Sequence, residues 1–342
     1  MKNPYSLVFG EKPKEYVSRI FQNDEVVTSF LEDKQKLFMI TGVRGSGKTV
    51  FMTNIKNYFK EEADWEVVEL STERDMLNAL VGKLGSESKL SGIIKNAGIN
   101  LSFFGFGVAI KGDPQIVDIE VALQRILETM KKHKKRLLVF VDEAVDNDYV
   151  RAFSSVFQIL IREELPIYLL MTGLYENIDD LQNEKNLTFL HRAPKLHLCP
   201  LSIGTMAASY KKNLKIEQDE AIRLAQMTRG YSYAFQVLGY CMYDNGGELD
   251  DAIVSMKQYL EEYVYDKIWS EISEKDKRVV YAIANSDSGK IQDVRKKLDM
   301  KSNEFGPYKK RLIKKSIISD EPGYARFTLP LFDEFVIENY YS

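Results

Sequence analysis

Gly42-Val43-Arg44-Gly45-Ser46-Gly47-Lys48-Thr49 reads as Gly-x-x-x-x-Gly-Lys-Ser/Thr, the pattern of a phosphate-binding loop. Its flanks decide whether the pattern carries weight. Leu37-Phe38-Met39-Ile40-Thr41, just before it, is a short apolar run of strand type. Val50 to Lys60, just after it, sets Met52, Ile55 and Phe59 at helical spacing. Strand, glycine loop and helix is the setting that the chemistry requires. Glycines let the backbone wrap a phosphate chain and turn its N–H groups inward. A helix beginning near Lys48 offers its positive end to the same anion. Lys48 is expected to reach the terminal phosphates, and the Thr49 hydroxyl to ligate Mg²⁺. Gly42, Val43, Arg44, Gly45, Ser46, Gly47, Lys48, Thr49 and Val50 are thus the candidate nucleotide contacts. The competing reading, a glycine-rich turn with no ligand, needs neither flank.

The second informative stretch is Leu137-Leu138-Val139-Phe140-Val141-Asp142-Glu143. Five apolar residues read as a buried parallel strand that ends in two carboxylates. Ligands of open α/β sheets sit at the carboxyl ends of the strands. Asp142 is therefore the expected Mg²⁺ holder beside Thr49, and Glu143 the residue that orients and polarises an attacking water. Ile167-Tyr168-Leu169-Leu170-Met171-Thr172-Gly173 is another strand ending in a polar residue. Thr172 lies where a side chain would touch the γ-phosphate or the water; a strand-end cap would look the same. A further short strand is expected near Lys195 to Leu198. Arg192, just before it, would supply a guanidinium to the phosphates, in cis or from a neighbouring subunit. The candidate catalytic set is thus Glu143, Lys48, Thr172 and Arg192.

At 342 residues the chain has room for two or three domains. Its 44% hydrophobic and 28% charged residues are ordinary for a globular protein. A net charge of −3 says nothing sharp about partners. Cys199 and Cys241 are far apart and share no metal spacing, so each is expected as a buried structural thiol in a reducing compartment. His133, His191 and His197 form no metal pattern. Met1 to Gly10 lacks a signal-peptide layout, and no run is long enough to cross a bilayer. The expectation is a cytoplasmic protein with no membrane partner.

Three other segments lie outside these motifs. Asn3 to Arg19 is a lead-in that either packs on an adenine or braces the core; both readings stand at this point. Residues 99 to 110, rich in Phe and Gly, suggest a hairpin packed on its own domain. Residues 116 to 132 repeat apolar side chains at helical spacing, and Lys131 to Arg136 reads as its solvated end.

The order of these elements resembles the AAA+ ATPases. More narrowly it is similar to the origin-recognition and replication-initiator type, and to the ATPases grouped with the STAND signalling NTPases. The resemblance covers most of the chain. It implies that Gly42 to Thr49 is Walker A, Asp142-Glu143 Walker B, Thr172 sensor 1, and Arg192 part of an arginine-finger loop. It also implies the sheet order 5-1-4-3-2. The lid sequence Thr228-Arg229-Gly230-Tyr231-Ser232-Tyr233-Ala234 departs from the family. Initiators carry an Arg about where Tyr233 stands, and the signalling branch carries a Pro where Ser232 stands. Arg229 is the nearest guanidinium, several residues out of register. Slow or partner-dependent hydrolysis follows as an expectation.

Beyond residue 200 the chain turns helical, over 204–213, 217–228, 232–244 and 249–268. Helices are then expected over Lys275 to Asn285, Ile291 to Leu298, and Ser302 to Ser316, with Ser302 as N-cap and Pro307 in an early turn. Ile317 to Asp320 and Tyr324 to Leu329 flank the turn Glu321-Pro322-Gly323. That order reads as a winged helix. Residues 289–316 hold ten Lys/Arg against three acidic residues, a local +7 in a chain of −3. Lys301, Asn303, Lys309, Lys310 and Lys314 are the candidates for a DNA face. A winged helix that binds protein, or packs on its own ATPase domain, fits the same residues.

The expected fold is an α/β P-loop NTPase core of AAA+ type over residues 1–200, a helical lid over 201–270 and a winged helix over 271–342. The expected function is hydrolysis of Mg-ATP to ADP and phosphate, which switches conformation, with double-stranded DNA, a protein or a second copy of the chain as partner. A nucleotide-binding scaffold with negligible turnover is the remaining alternative.

Overall fold

Three strands without a polar face occupy the middle of one parallel sheet: β1 (Leu37–Thr41), β3 (Arg136–Val141) and β4 (Ile167–Gly173). Strands covered on both faces read as continuous apolar runs, which is why their sequences show no alternation. β2 (Trp65–Leu70) and β5 (Lys195–His197), more polar, take the two edges. The order is β2-β3-β4-β1-β5, all parallel. Read from the other edge it is the 5-1-4-3-2 order expected from the resemblance. The computed structural model describes residues 2–8, 13–86 and 118–341. The hairpin expected at residues 99–110 lies outside the described residues.

By its contacts the chain forms two compact units. One comprises Ile20–Thr41 and Lys48–His197. It holds the sheet with α1 (Ile20–Leu31), α2 (Lys48–Glu61), α3 (Met76–Ser86), α4 (Ile119–Lys132), α5 (Asp148–Arg162) and α6 (Tyr175–Asn183). A 3₁₀ turn, Thr188–Arg192, precedes β5. On one face α3, α4 and α5 bury Leu80, Leu84, Leu123, Ile126, Leu127, Phe153 and Phe157 with the apolar strands. A second cluster joins Phe30, Phe38, Phe59, Trp65 and Tyr168, mostly edge to face or tilted. Asp118 and Asn147 cap α4 and α5 by accepting from the backbone N–H of Val121 and Val150.

The other unit comprises Met1–Arg19, Gly42–Gly47 and Leu198–Ser342. Its helices are α7 (Ile203–Leu214), α8 (Gln218–Met227), α9 (Ser232–Asp244), α10 (Leu249–Leu260), α11 (Asp266–Glu271), α12 (Glu274–Ala284), α13 (Ile291–Leu298), α14 (Ser302–Lys314) and α15 (Phe332–Asn339). A π-helical turn, Glu261–Tyr265, joins α10 to α11. Segments 289–291, 317–319 and 323–328 pair antiparallel after and between the last helices. Ala325 N–H donates to Gly289 at 2.8 Å, Ile291 to Gly323 at 2.9 Å, and Ser319 to Arg326 at 2.8 Å.

The lead-in segment braces this unit. Tyr5 is buried between Tyr210 and Phe235, and its ring fills the space where Gly239 has no side chain. Asn3 donates to the carbonyl of Tyr240, and Gln236 to that of Glu15.

Two local expectations are corrected. Ser302 is the first helical residue of α14, not its cap: Lys301 holds that position, and its N–H donates to Glu304 at 2.6 Å. Cys241 is buried, and burial raises its thiol pKa to about 11. Cys199 is exposed, because it sits in the short link after an edge strand.

Candidate functional site

The dividing line between the two units runs through the Gly-rich motif. Lys48 and Thr49 open α2 in the sheet unit, and Gly42–Gly47 belongs to the helical one.

In the sheet unit, α2 begins at Lys48 as expected, so its free N–H groups and dipole lie at the carboxyl end of β1. Asp142 follows β3, and Thr172 is the penultimate residue of the neighbouring β4. Parallel register brings the ends of these strands to one edge. Thr49 Oγ1 donates to Oδ2 of Asp142 at 2.7 Å, across 93 residues of sequence. Thr172 Oγ1 donates to the other carboxylate oxygen, Oδ1. Thr172 is fully buried, and its carbonyl accepts from Ala144 N–H at 2.7 Å. It therefore holds both the acid and the turn beyond it. Its hydroxyl is directed at Asp142.

Glu143 is exposed, with φ of 50° in the left-handed region. For a residue with a Cβ that conformation costs about 1 kcal/mol or more. Two bonds offset it: the Glu143 N–H donates to Asp142 Oδ1 at 3.0 Å and to Thr172 Oγ1 at 3.4 Å. The strain sits next to the carboxylates, where chemistry is expected.

Thr49 and Asp142 present two hard oxygen donors side by side. That set fits Mg²⁺, which takes few protein ligands and completes its shell with water and phosphate oxygens. Among the described residues, no group of three or more His, Cys, Asp or Glu forms a separate metal cluster. Arg192 ends the 3₁₀ turn, exposed, and among the described residues its side chain makes no hydrogen bond or ion pair. It is not drawn into the Thr49–Asp142–Thr172 cluster.

In the helical unit, the first part of the motif forms a loop with Gly45 at φ 69° and Gly47 at φ 88°. Three successive carbonyls of this loop are taken by three successive lid residues. Tyr231 Oη donates to Arg44 O at 2.6 Å, Tyr233 N–H to Gly45 O at 3.1 Å, and Ser232 Oγ to Ser46 O at 2.9 Å. Arg19 joins them. Its guanidinium donates to Ser46 O at 2.8 Å, to Ser232 Oγ at 3.1 Å and to Cys199 O at 2.8 Å. Burial lowers the Arg19 pKa and, more strongly, raises that of Tyr231, so the phenol stays protonated. Arg44 itself pairs with Glu271 at 2.9 Å.

Arg229 faces elsewhere. It donates to the carbonyls of Phe327 at 3.0 Å and Leu329 at 3.1 Å. The guanidinium bonded to the carbonyls behind the Gly-rich loop comes from Arg19, which the sequence marks only as the end of the lead-in. Its signal was weak: a single Arg before a helix, with all partners but Ser46 more than a hundred residues away.

Within α14, Asn303, Lys310 and Lys314 share the face opposite the buried Phe305 and Leu312. Lys301 and Lys310 are exposed. Lys309 donates to Glu321 O at 3.3 Å, at the turn between the paired segments.

A family profile described as a domain of unknown function, DUF8462, matches residues 262–336. No curated protein matches the chain in sequence. The Walker-type ATPase PABY2304 of Pyrococcus abyssi is similar in structure, with a TM-score of 0.67 at 15% identity over 97% of this chain and 99% of that one. The ORC2 protein of Aeropyrum pernix, solved as ADPNP–ADP complexes, gives 0.60 at 13% identity, over 97% and 95%. At these identities the common property is architecture: over nearly all its length the chain has the AAA+-type P-loop fold of these two proteins.

Proposed function

We propose that the chain binds Mg-ATP and hydrolyses it to ADP and phosphate, using the cycle to switch conformation. The observation that carries this reading is the bond between Thr49 and Asp142, which joins the two phosphate-site motifs. The nucleotides in the A. pernix structure support a ligand of the same class. Lys48 would neutralise the terminal phosphates, and Thr49 and Asp142 would hold Mg²⁺, which supplies charge neutralisation at the β- and γ-oxygens. Glu143 would take the proton of a water whose oxygen attacks the γ-phosphorus as the bond to the ADP oxygen breaks. Calorimetry with Mg-ATP tests the reading. Micromolar binding by the wild type and none by Lys48→Ala is the expected result, and retained affinity in that variant would refute the loop assignment.

The C-terminal part fits a winged helix, since antiparallel segments follow helices α12 to α14. Its +7 balance between residues 289 and 316 supports contact with double-stranded DNA through Lys301, Asn303, Lys309, Lys310 and Lys314. A second reading rests on Arg229, whose two bonds tie the lid turn to the wing-like segment. They suit a signalling switch whose C-terminal part binds protein or restrains its own ATPase. Salt-sensitive DNA binding with stimulated turnover favours the first reading. Turnover that DNA leaves unchanged, in a chain that does not retain DNA, favours the second.

A further inference from the structure

The phosphate loop is bonded from behind, and we infer that Tyr231 and Ser232 are positioning residues that orient it for a phosphate chain. The inference rests on the nucleotide-binding reading above and adds residues to it.

The argument begins with the peptide plane. In a trans peptide the C=O and the following N–H point to opposite sides, and none of the described peptide bonds is cis. Tyr231 fixes the carbonyl of Arg44, which turns the Gly45 N–H the other way. Ser232 and Arg19 fix the carbonyl of Ser46, which does the same for the Gly47 N–H. The intervening peptide is held on both sides. Gly45 O accepts from Tyr233 N–H, and Ser46 N–H donates to Val43 O at 3.2 Å within the loop. The Gly45 and Gly47 N–H groups are the donors such a loop offers to an anion. A hydrogen bond accepted by a carbonyl also polarises its peptide and makes the attached N–H a better donor.

The fit is close. A Cβ on Gly45 would stand 2.1 Å from Tyr231 Oη and 3.0 Å from Tyr233 Cβ. The tyrosine thus fills the space that a side chain at residue 45 would need. Tyr231 is buried, and its pKa is raised by that burial, so it remains a donor throughout the physiological range. Ser232 both donates to Ser46 O and accepts from Arg19, so its loss would break two bonds. Tyr231, Ser232 and Tyr233 act on the loop through its backbone carbonyls.

The test uses the full chain with Tyr231→Phe, which keeps the ring and removes the donor, and with Ser232→Ala. Calorimetry measures Mg-ATP and Mg-tripolyphosphate; steady-state assays separate KM from kcat. Each variant should lose about fivefold in affinity for both probes, the size of one hydrogen bond. KM should rise by the same factor and carry the loss in kcat/KM. Tripolyphosphate isolates the phosphate tail, so an equal loss there assigns the effect to the loop. Wild-type affinity for both probes in both variants overturns the inference and leaves the ATPase reading standing. A wild type that binds neither probe overturns both. A loss for ATP with none for tripolyphosphate overturns the inference alone.

Discussion

The hydroxyl of Thr49 donates to Oδ2 of Asp142 at 2.7 Å, so the start of a helix and the end of a strand share one proton. That hydroxyl keeps lone pairs for a cation while its hydrogen stays on the carboxylate. Asp142→Asn keeps the shape and removes the charge. ATP affinity in excess Mg²⁺ should fall about tenfold, and affinity in chelator should not change. Calorimetry under both conditions measures the difference; an undiminished magnesium dependence would remove Asp142 from the metal site.

Glu143→Gln separates binding from chemistry. The left-handed backbone at 143 is held by bonds from its own N–H, which the substitution leaves in place. Single-turnover phosphate release should drop by at least about a hundredfold, with ATP affinity within about twofold of wild type. Equal release rates would point to a scaffold that holds nucleotide without turning it over.

Arg311 and Lys310 are neighbours with opposite expected effects. Arg311 donates to Asp276 at 2.7 Å, and Asp276 is only 4% exposed, with Ser273 as its other partner. Arg311→Ala leaves a buried carboxylate half-paired, a loss of about 2 kcal/mol after allowing for the partly exposed guanidinium. Denaturant melts measure that loss. Lys310→Ser should leave the melt unchanged and reduce the slope of log K against log salt for duplex DNA by about 1. A slope that stays put would turn attention to a protein partner.

Glu261, in the π-helical turn, has a buried Oε1 that accepts no hydrogen bond. Burial raises its pKa above the ordinary 4.5. Lys257 opposes the shift but is shared with Glu334 and Glu338, and Asp266 adds repulsion. The folded chain therefore holds this proton more tightly than the unfolded one. Stability from this residue is fully present below about pH 4.5, the unfolded value, and is lost as pH rises through the folded value. Glu261→Gln should melt higher than wild type at neutral pH, with a gap that closes on acidification. A gap independent of pH would mean that titration of Glu261 is not its source.

Local pattern carried much of this. The apolar runs of β1, β3 and β4 and the motif residues Gly42 to Thr49 announce themselves within ten residues. Strand order is another matter: no periodicity encodes that β1 lies between β4 and β5, and only likeness to a family supplied it. The bonds behind the Gly-rich loop are hidden for a different reason. Arg19 meets Ser232 across 213 residues, and Tyr231 meets Arg44 across 187. A tyrosine, a serine and a lone arginine have no spacing rule that joins them. Thr172 was placed correctly at its strand end, but its orientation toward Asp142 depended on the register of β3 and β4. Cys199 departs from the usual burial of thiols because the short link after an edge strand leaves it uncovered.

Gly239 accommodates Tyr5 only because it lacks a methyl group; a Cβ there would lie 2.7 Å from the ring. The lead-in segment that Tyr5 anchors ends at Arg19, behind the loop. Filling that notch with Gly239→Ala should expel the ring, and limited proteolysis should then cleave ahead of Arg19 faster than in the wild type. One missing carbon in a helix would in that case govern how firmly the chain's beginning stays moored behind the Gly-rich loop.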